Sequence, residues 1–222
     1  MTAAMIRYVP RLVLAIVLPI AILFGSAGRW DLPFFWAFIA LIVAAMLLTA
    51  GLADKGLLRE RAKPGPGGVD RKLPLAMLPF YAGHLIIAGL DVGRYQWSGR
   101  IPVGIQIAAL CGLACASGLS IWAIAVNRFF SPVVRVQSER GHHVVKTGPY
   151  RWVRHPGYVS ALASMLCSGP ALGSWWSMLV LTPLWVLALR RAVIEDRYLH
   201  EHLEGYADYA SEVKCRLVPG IW

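Results

Sequence analysis

The residues best suited to chemistry lie in the second half of the chain, in the stretch GHHVVKTGPYRWVRHPGY from Gly141 to Tyr158. Pro156 suits the first turn of a helix, which places His155 at the helix entrance, near backbone N–H groups that favour negative charge. Tyr150 and Tyr158 add aromatic rings. The pattern predicts an aromatic, donor-rich pocket at the mouth of a helix. Aromatic and basic residues also gather at membrane interfaces for no catalytic reason.

A second candidate element is the pair Arg191 and Glu195, four residues apart. Four residues make about one helical turn, so both side chains lie on one face of a helix. Such a pair is usually a surface salt bridge. Together with the upstream stretch, it is a candidate for binding and orienting a substrate.

The elements that must position these residues are membrane helices, since 57% of the 222 residues are hydrophobic and 15% are charged. A bilayer-spanning helix needs about 20 apolar residues. Six stretches approach that length: Val9–Ala27, Leu32–Leu52, Leu73–Leu90, Ile101–Val126, Tyr158–Leu172 and Trp175–Leu189. The sequence predicts an integral membrane protein of the all-α class, a polytopic helical bundle with about six transmembrane helices.

The last two stretches have only 15 residues each, so they span a bilayer poorly unless their ends lie in protein. We therefore expect a cavity at their cytoplasmic ends. Beyond them, apolar residues recur at three- and four-residue steps, which predicts an amphipathic cytoplasmic helix near the C-terminus. These residues are Leu199, Leu203, Tyr206 and Ala210, with a break expected at Gly205.

The chain divides into a scaffold of four spans, residues 1–126, and a catalytic half, residues 127–222, which holds both candidate elements. The loops are too short for a doubly wound nucleotide-binding domain, which typically needs ~100 contiguous residues. The sequence also lacks the G-x-G-x-x-G and Walker motifs. Any nucleotide-like cofactor must therefore bind to helix ends and short loops.

Membrane orientation explains the net charge of +10 better than nucleic-acid binding does. With both termini inside, the outer loops hold only Arg29, Arg94 and Arg100 of the 22 lysines and arginines. Basic residues are retained on the cytoplasmic side, where they attract anionic lipid headgroups. We expect both termini and the active site at the cytoplasmic face, contacts with membrane lipids, and no nucleic-acid partner.

The four cysteines form no C-x-x-C pair, and three of them lie in apolar stretches. Such cysteines usually act as small hydrophobic residues, so neither a disulfide nor a metal site is expected. Two other features remain open. His84, inside the third span, takes part in chemistry or bonds to a neighbouring helix. Residues 63–72, rich in glycine, proline and basic residues, form a flexible loop near lipid phosphates or a lid over a substrate.

The stretches GPYRWVRHPGY, RAVIEDRYL and EGYADY and the ending VPGIW resemble the isoprenylcysteine carboxyl methyltransferase and phospholipid methyltransferase superfamily of membrane enzymes. The resemblance covers about residues 127–222, and the first four spans agree only in hydropathy. It implies S-adenosylmethionine as the methyl donor, bound at the cytoplasmic ends of the last two spans under the C-terminal segment.

By motif position, the resemblance also implies roles for individual residues. Arg191 corresponds to the substrate-orienting arginine and forms the catalytic pair with Glu195. An upstream glutamine contact corresponds to Gln137, with Arg135 as the competing assignment. The implied cofactor contacts are Gln137, His142, His143, Val144, Val145, Tyr150, His155, Pro156, Gly157, Tyr158 and Glu195.

Two positions depart from the family pattern. Ser160 stands where the family usually has glycine, and Asp196 replaces the second of two glutamates. Serine is small enough for close approach of the backbone, so we expect the pocket to be preserved. The role of Asp196 is less securely implied.

The chemistry of the methyl acceptor decides whether a base is needed. A carboxylate is already ionised at neutral pH, so Arg191 can orient it without any proton transfer. An amine must first lose a proton, for which Glu195, Asp196 or a histidine would be the candidates. The sequence lacks a clear dedicated base, which favours the carboxylate of an amphiphilic, lipid-like acceptor.

Three alternatives stay open from the sequence. The first is a phospholipid amine N-methyltransferase. The second is an NADPH-dependent enzyme like the sterol reductases, which share the Arg-His-Pro-x-Tyr turn but differ at Gly157, Val159, Ser160 and Ala161. The third is a non-catalytic membrane scaffold or a transporter, although no inverted repeat of broken helices supports transport.

Overall fold

The computed structural model describes residues 3–218, 220 and 222. This part of the chain is helical and contains no strand, which confirms the all-α prediction. Two positions of the ending VPGIW, Pro219 and Ile221, lie outside the described residues. The helices are α1 (Ala3–Ala27), α2 (Pro33–Leu52), α3 (Lys55–Ala62), α4 (Leu73–Leu90), α5 (Val103–Val126), α6 (Pro156–Leu172), α7 (Trp175–Val180), α8 (Thr182–His202) and α9 (Tyr206–Glu212).

Four helical stretches are long and apolar enough to cross a membrane: Pro33–Leu52, Leu73–Tyr95, Val103–Val126 and Trp175–His202. They correspond to the second, third, fourth and sixth predicted spans and mark an integral membrane protein. The other two predicted spans correspond to apolar helices of fewer than 18 described residues. The described apolar part of α1 is Val13–Ala27, and α6 has 17 residues. The count of six spans therefore stays a prediction.

The expectation of two short final spans is right for α6 and wrong for the sixth span. At about 1.5 Å per residue, α6 is about 26 Å long, less than a hydrocarbon core of about 30 Å. The sixth span was predicted to end at Leu189, but α7 and α8 form one stretch of 28 residues that continues to His202. The apolar stretch of the sequence ends before Arg190. Hydropathy alone cannot show whether a helix ends at such a point or continues into a polar environment.

Chain connectivity gathers five helix ends at one end of the bundle. The segment between α2 and α4 joins the end of α2 to the start of α4, and residues 127–155 join the end of α5 to the start of α6. The charged half of α8 leads into the C-terminal segment at the same end. The residues singled out for chemistry are therefore brought together by topology. We call this the loop end of the bundle.

Close backbone approach at glycines sets the packing of α1 against α4. A Cβ atom on Gly89 would lie 2.5 Å from the carbonyl oxygen of Leu23 and 1.9 Å from Oγ of Ser26. A Cβ atom on Gly93, in the π-helical segment Asp91–Tyr95, would lie 2.4 Å from the carbonyl oxygen of Ala27. The buried core that depends on this contact includes Leu23, Phe24, Phe35, Leu85, Leu113 and Leu172.

The end of the bundle opposite the loop end is held by a buried carboxylate. Asp91 is 1% exposed and accepts hydrogen bonds from the backbone N–H of Ser98 at 2.8 Å and from the hydroxyl of Ser174 at 2.6 Å. The Ser98 hydroxyl also donates to it. These bonds tie the end of α4 to the turn between α6 and α7.

His84 has a structural contact in the bundle. Its ring lies in α4, 4% exposed, with Nδ1 3.0 Å from the carbonyl oxygen of Ser177 in α7. This contact agrees with the alternative of a histidine bonded to a neighbouring helix. The ring does not line the cavity described below.

The C-terminal segment contains a break at the predicted position. α8 ends at His202, Gly205 has a φ of 75°, and α9 continues from Tyr206. This φ lies in the left-handed region that glycine adopts without steric cost. The predicted amphipathic helix is therefore two helices, and the buried Tyr206 and Tyr209 turn back toward the loop between α5 and α6.

We expect Gly89→Ala to destabilise the protein, since the added methyl group would force α1 and α4 apart. Overpacking of this kind costs about 1–3 kcal/mol. The control is Gly104→Ala in α5, where a Cβ atom meets nothing within 4 Å. In an open helix this change gains about 0.5–1 kcal/mol. Thermal unfolding in detergent would measure both, and equal midpoints would contradict the packing at Gly89.

Candidate functional site

A cavity of about 700 Å³ opens at the loop end of the bundle. Small-molecule sites typically have volumes of roughly 300–1,000 Å³. The walls come from the second half of α2, the first half of α4, the second half of α5, the start of α6 and the middle of α8. The loop between α5 and α6 and the C-terminal segment complete the enclosure.

The structure brings both candidate elements to this one cavity. Residues far apart in the chain, such as Tyr150 and Glu195, share a single hollow. The sequence-predicted residues that line it are His142, His143, Val144, Val145, Tyr150, His155, Pro156, Gly157, Tyr158, Arg191 and Glu195. We call this part of the cavity the polar end.

Gln137 is the predicted contact that the structure places behind the wall. Its side chain is fully buried, and its amide donates to the carbonyl oxygen of Phe129 at 2.7 Å and accepts from Arg140. The competing assignment, Arg135, does line the cavity. Its guanidinium is paired with Glu60 at 2.9 Å and also contacts Glu139.

His142 is held as a neutral ring at one side of the polar end. It stacks on Phe129 with ring centroids 4.3 Å apart, and its Nδ1 accepts the backbone N–H of Gln137 at 3.2 Å. Burial, joined by the charges of His143, Arg135 and Arg140, lowers the pKa of His142 to about 4. At neutral pH the ring therefore carries its proton on Nε2 and offers a hydrogen-bond donor.

Tyr150 is fixed from two sides. Its hydroxyl accepts a hydrogen bond from the side-chain amide of Asn127 at 2.9 Å, and its carbonyl oxygen accepts one from the hydroxyl of Tyr209 at 2.7 Å. Burial raises the pKa of Tyr150, so the phenol stays protonated. The ring is thus a rigid aromatic wall of the cavity.

Asp196, on α8, joins three parts of the site at a single buried carboxylate. It is 2% exposed and accepts from Nε of Arg154 at 2.8 Å and from Nη2 at 3.1 Å. His155 Nε2 lies 3.2 Å from it, the Tyr206 hydroxyl donates at 2.9 Å, and Arg216 Nε donates at 2.9 Å. The start of α6, the C-terminal segment and α8 are therefore bonded to one group.

The backbone adds to this junction between the C-terminal segment and α6. The N–H groups of Arg154 and His155 donate to the carbonyl oxygens of Cys215 and Arg216, both at 3.0 Å. Lys146 pairs with Glu212 at 2.8 Å farther along. These contacts place the C-terminal segment against the loop before α6.

The two catalytic candidates on α8 have separate partners. The Tyr158 hydroxyl donates to Glu195 Oε2 at 2.6 Å. Arg191 Nε lies 2.6 Å from Oδ2 of Asp70, and its Nη2 donates to the carbonyl oxygen of Pro132. Among the contacts of the described residues, Arg191 and Glu195 do not pair with each other, so both face the cavity as independent groups.

The cavity continues from the polar end into an apolar part between the helices. The apolar side chains that line it suit a hydrocarbon chain. Its walls include Ile42, Met46, Met77, Ile121, Ile124, Met165 and Leu187. Ser160, which departs from the family pattern, is 4% exposed and also lines the cavity.

Sequence reasoning missed several residues that build the site. Asp70 pairs with Arg191, which lies more than 100 positions later in the chain, and no local sequence pattern predicts such a pairing. Tyr206 and Tyr209 were recognised as an apolar periodicity, which could not show that their hydroxyls reach Asp196 and Tyr150. The sequence left the role of Asp196 insecure, and the structure places it at a junction of buried hydrogen bonds.

Fold and site together define a helical membrane protein with a chamber at one end, polar at its mouth and apolar between the helices. Residues 108–201 match the model of the isoprenylcysteine carboxyl methyltransferase (ICMT) family. The match covers less than half of the chain and agrees with the resemblance carried by GPYRWVRHPGY and RAVIEDRYL. The match begins within α5, earlier than residue 127, and ends before EGYADY.

A curated relative agrees with the family match. The chain is 31% identical over 98 residues to Protein-S-isoprenylcysteine O-methyltransferase of Saccharomyces cerevisiae. The match covers 38% of this chain and 36% of the yeast protein. The chain thus spans about a third of the length of the relative that it matches.

We expect Asp196→Asn to unfold the polar end, because the buried Arg154 would lose the carboxylate that balances its charge. Removing one partner of a buried ion pair costs about 3–5 kcal/mol. The control is Asp208→Asn on the exposed side of α9, which should change stability by less than about 0.5 kcal/mol. Thermal unfolding in detergent compares the two, and equal midpoints would show that Asp196 does not hold the site together.

Proposed function

We propose that this protein is an S-adenosylmethionine-dependent membrane methyltransferase that methylates the carboxylate of an amphiphilic, isoprenylcysteine-like acceptor. The observation that carries the proposal is the single cavity that joins Tyr150, His155, Arg191 and Glu195 to an apolar space between helices. A donor with a polar head and an acceptor with an apolar tail both fit such a chamber. The name of the yeast relative supports the choice of acceptor.

The residues at the polar end suit S-adenosylmethionine. When bound, this donor supplies an activated methyl group on a sulfonium cation. The rings of Tyr150 and Tyr158 line the cavity, and such rings stabilise a cation by ~0.5–2 kcal/mol each. Glu195 offers carboxylate oxygens, and neutral His142 offers a donor to an adenine or a carboxylate.

Arg191 suits the orientation of the acceptor. Arg191 lines the polar end of the cavity. A carboxylate is ionised at neutral pH and needs no base, so alignment is the main task left to the protein. Positioning of two reactants can supply ~7–11 kcal/mol of the barrier.

An amine acceptor fits less well, since it would need a general base. Glu195 already accepts the hydroxyl of Tyr158, and Asp196 is enclosed by arginines, a histidine and a tyrosine. Asp196 is therefore not free to take a proton from an amine, and Glu195 is assigned to the donor in this proposal. The ICMT family match likewise does not favour the sterol-reductase-like or scaffold alternatives.

The apolar part of the cavity supports a lipid-like tail that enters from the membrane. Apart from Met165 of α6, the wall residues named above belong to helical stretches long enough to span a bilayer. We further propose that the polar end faces the cytoplasm with both chain termini, because the basic residues concentrate in the segments at the loop end. Acceptor and donor would then approach the cavity from membrane and water respectively.

A binding titration tests the proposed donor. Purified protein in detergent is titrated with S-adenosylmethionine, S-adenosylhomocysteine and NADPH. We expect both methionine derivatives to bind and NADPH not to bind. Binding of NADPH alone would replace the proposal with a reductase, and binding of none would leave a scaffold.

We expect Arg191→Ala to reduce turnover while donor affinity stays within about twofold, since Arg191 serves the acceptor. Glu195→Ala should weaken donor binding by about tenfold or more, the effect of losing a charged hydrogen bond of 1.5–3 kcal/mol. Exposed neighbours on α8 provide matched controls, Arg190→Ala and Glu201→Ala. Equal loss of donor affinity in Arg191→Ala and Glu195→Ala would contradict the separate roles.

A further inference from the structure

Asp70 lies in the segment 63–72, whose role the sequence left open, and its carboxylate has one hydrogen bond and one ion pair. Oδ1 accepts the backbone N–H of Val134 at 2.8 Å, and Oδ2 lies 2.6 Å from Arg191 Nε. The side chains of Asp70 and Arg191 are 13% and 16% exposed. The carboxylate is thus a fixed anchor between two loops and α8.

The guanidinium of Arg191 is fixed on further sides. Its Nη2 donates to the carbonyl oxygen of Pro132, and its carbon lies 6.0 Å from the ring centroid of Tyr158. Asp70 therefore forms an ion pair with Nε that lacks hydrogen-bond geometry, and the carbonyl oxygen of Pro132 accepts from Nη2. Among the contacts of the described residues Nη1 has none, so it is the nitrogen left for the cavity that Arg191 lines.

The rest of the segment holds its shape without Asp70. Arg71 Nη1 donates to the carbonyl oxygens of Gly65 at 2.7 Å and Gly67 at 2.8 Å, and Arg71 Nη2 donates to that of Pro64 at 3.0 Å. The backbone N–H of Val69 donates to the carbonyl oxygen of Val134. A substitution at Asp70 should therefore leave the turn in place and change mainly the surroundings of Arg191.

We propose that Asp70 is a positioning residue for the methyl transfer: it orients the guanidinium of Arg191 so that the free Nη1 edge meets the acceptor's carboxylate. The inference rests on the proposed role of Arg191. It makes the segment 63–72 a support behind the wall of the site, rather than a flexible loop or a lid. A long arginine side chain without this anchor samples several rotamers, and an acceptor held 1 Å out of line reacts about 10²-fold more slowly.

The test uses Asp70→Asn, which keeps the shape and removes the charge. Wild type and variant are compared in detergent with radiolabelled S-adenosylmethionine and the free acid of S-farnesyl-N-acetylcysteine. We expect kcat/KM for the acceptor to fall by about 10- to 100-fold, within the range set by misalignment. The donor's Kd should change by less than about twofold. Asp70→Glu should restore part of the loss because it keeps the charge.

A double-mutant cycle with Arg191→Gln separates positioning from simple structural support. Interacting residues show non-additive effects, whereas independent ones add. We expect Asp70→Asn to weaken binding of the farnesylated acid, measured with S-adenosylhomocysteine present, but to have no further effect once Arg191 is replaced. Equal losses in both backgrounds would overturn the inference.

The outcomes also distinguish this inference from the proposed function. The control Asp31→Asn removes an exposed ion pair with Arg29 in the loop between α1 and α2 and should leave all rates unchanged. If the wild type transfers a methyl group but the losses in acceptor binding from Asp70→Asn and Arg191→Gln are additive, only the role of Asp70 is overturned and the proposed function stands. Failure of the wild type to bind the donor or to transfer a methyl group would overturn the proposed function and this inference together.

Discussion

The site depends on one buried carboxylate. Asp196 is almost fully enclosed, and a charge in such surroundings is tolerated only when opposite charges and hydrogen bonds surround it. Arg154, His155, Tyr206 and Arg216 provide them from three separate parts of the chain. Satisfying this one group draws the start of α6, the C-terminal segment and α8 together, and the cavity is the space that remains between them.

A second constraint is the membrane. Helices that bury apolar surface against lipid cannot also supply a polar chamber along their length, so the polar groups collect where the helices end. The short α6 brings its first turn into the chamber, and α8 continues past the predicted end of its span to present Arg191 and Glu195. The cavity therefore has a charged end and an apolar end, which matches the polar head and apolar tail of an amphiphile.

Much of this could be predicted from the sequence. Hydropathy placed the ends of α2, α4 and α5 within one or two residues, and the family resemblance implied that the two chemical elements share a site, as they do in the cavity. The sequence could not show the length of α8, because hydropathy ends where charges begin. Nor could it reveal pairs such as Asp70 with Arg191, which only the packed fold brings together. Gln137 was assigned by motif position, and that position carries no information on whether a side chain faces the cavity or the core.

The most direct test of the account is an experimental structure of the protein with S-adenosylhomocysteine. The account predicts the ligand at the polar end, against Tyr150 and Tyr158 and within hydrogen-bonding distance of Glu195. The C-terminal segment should cover it. A ligand bound at the opposite end of the bundle, or on the exposed face of α8, would contradict the central claim that this chamber is the donor site.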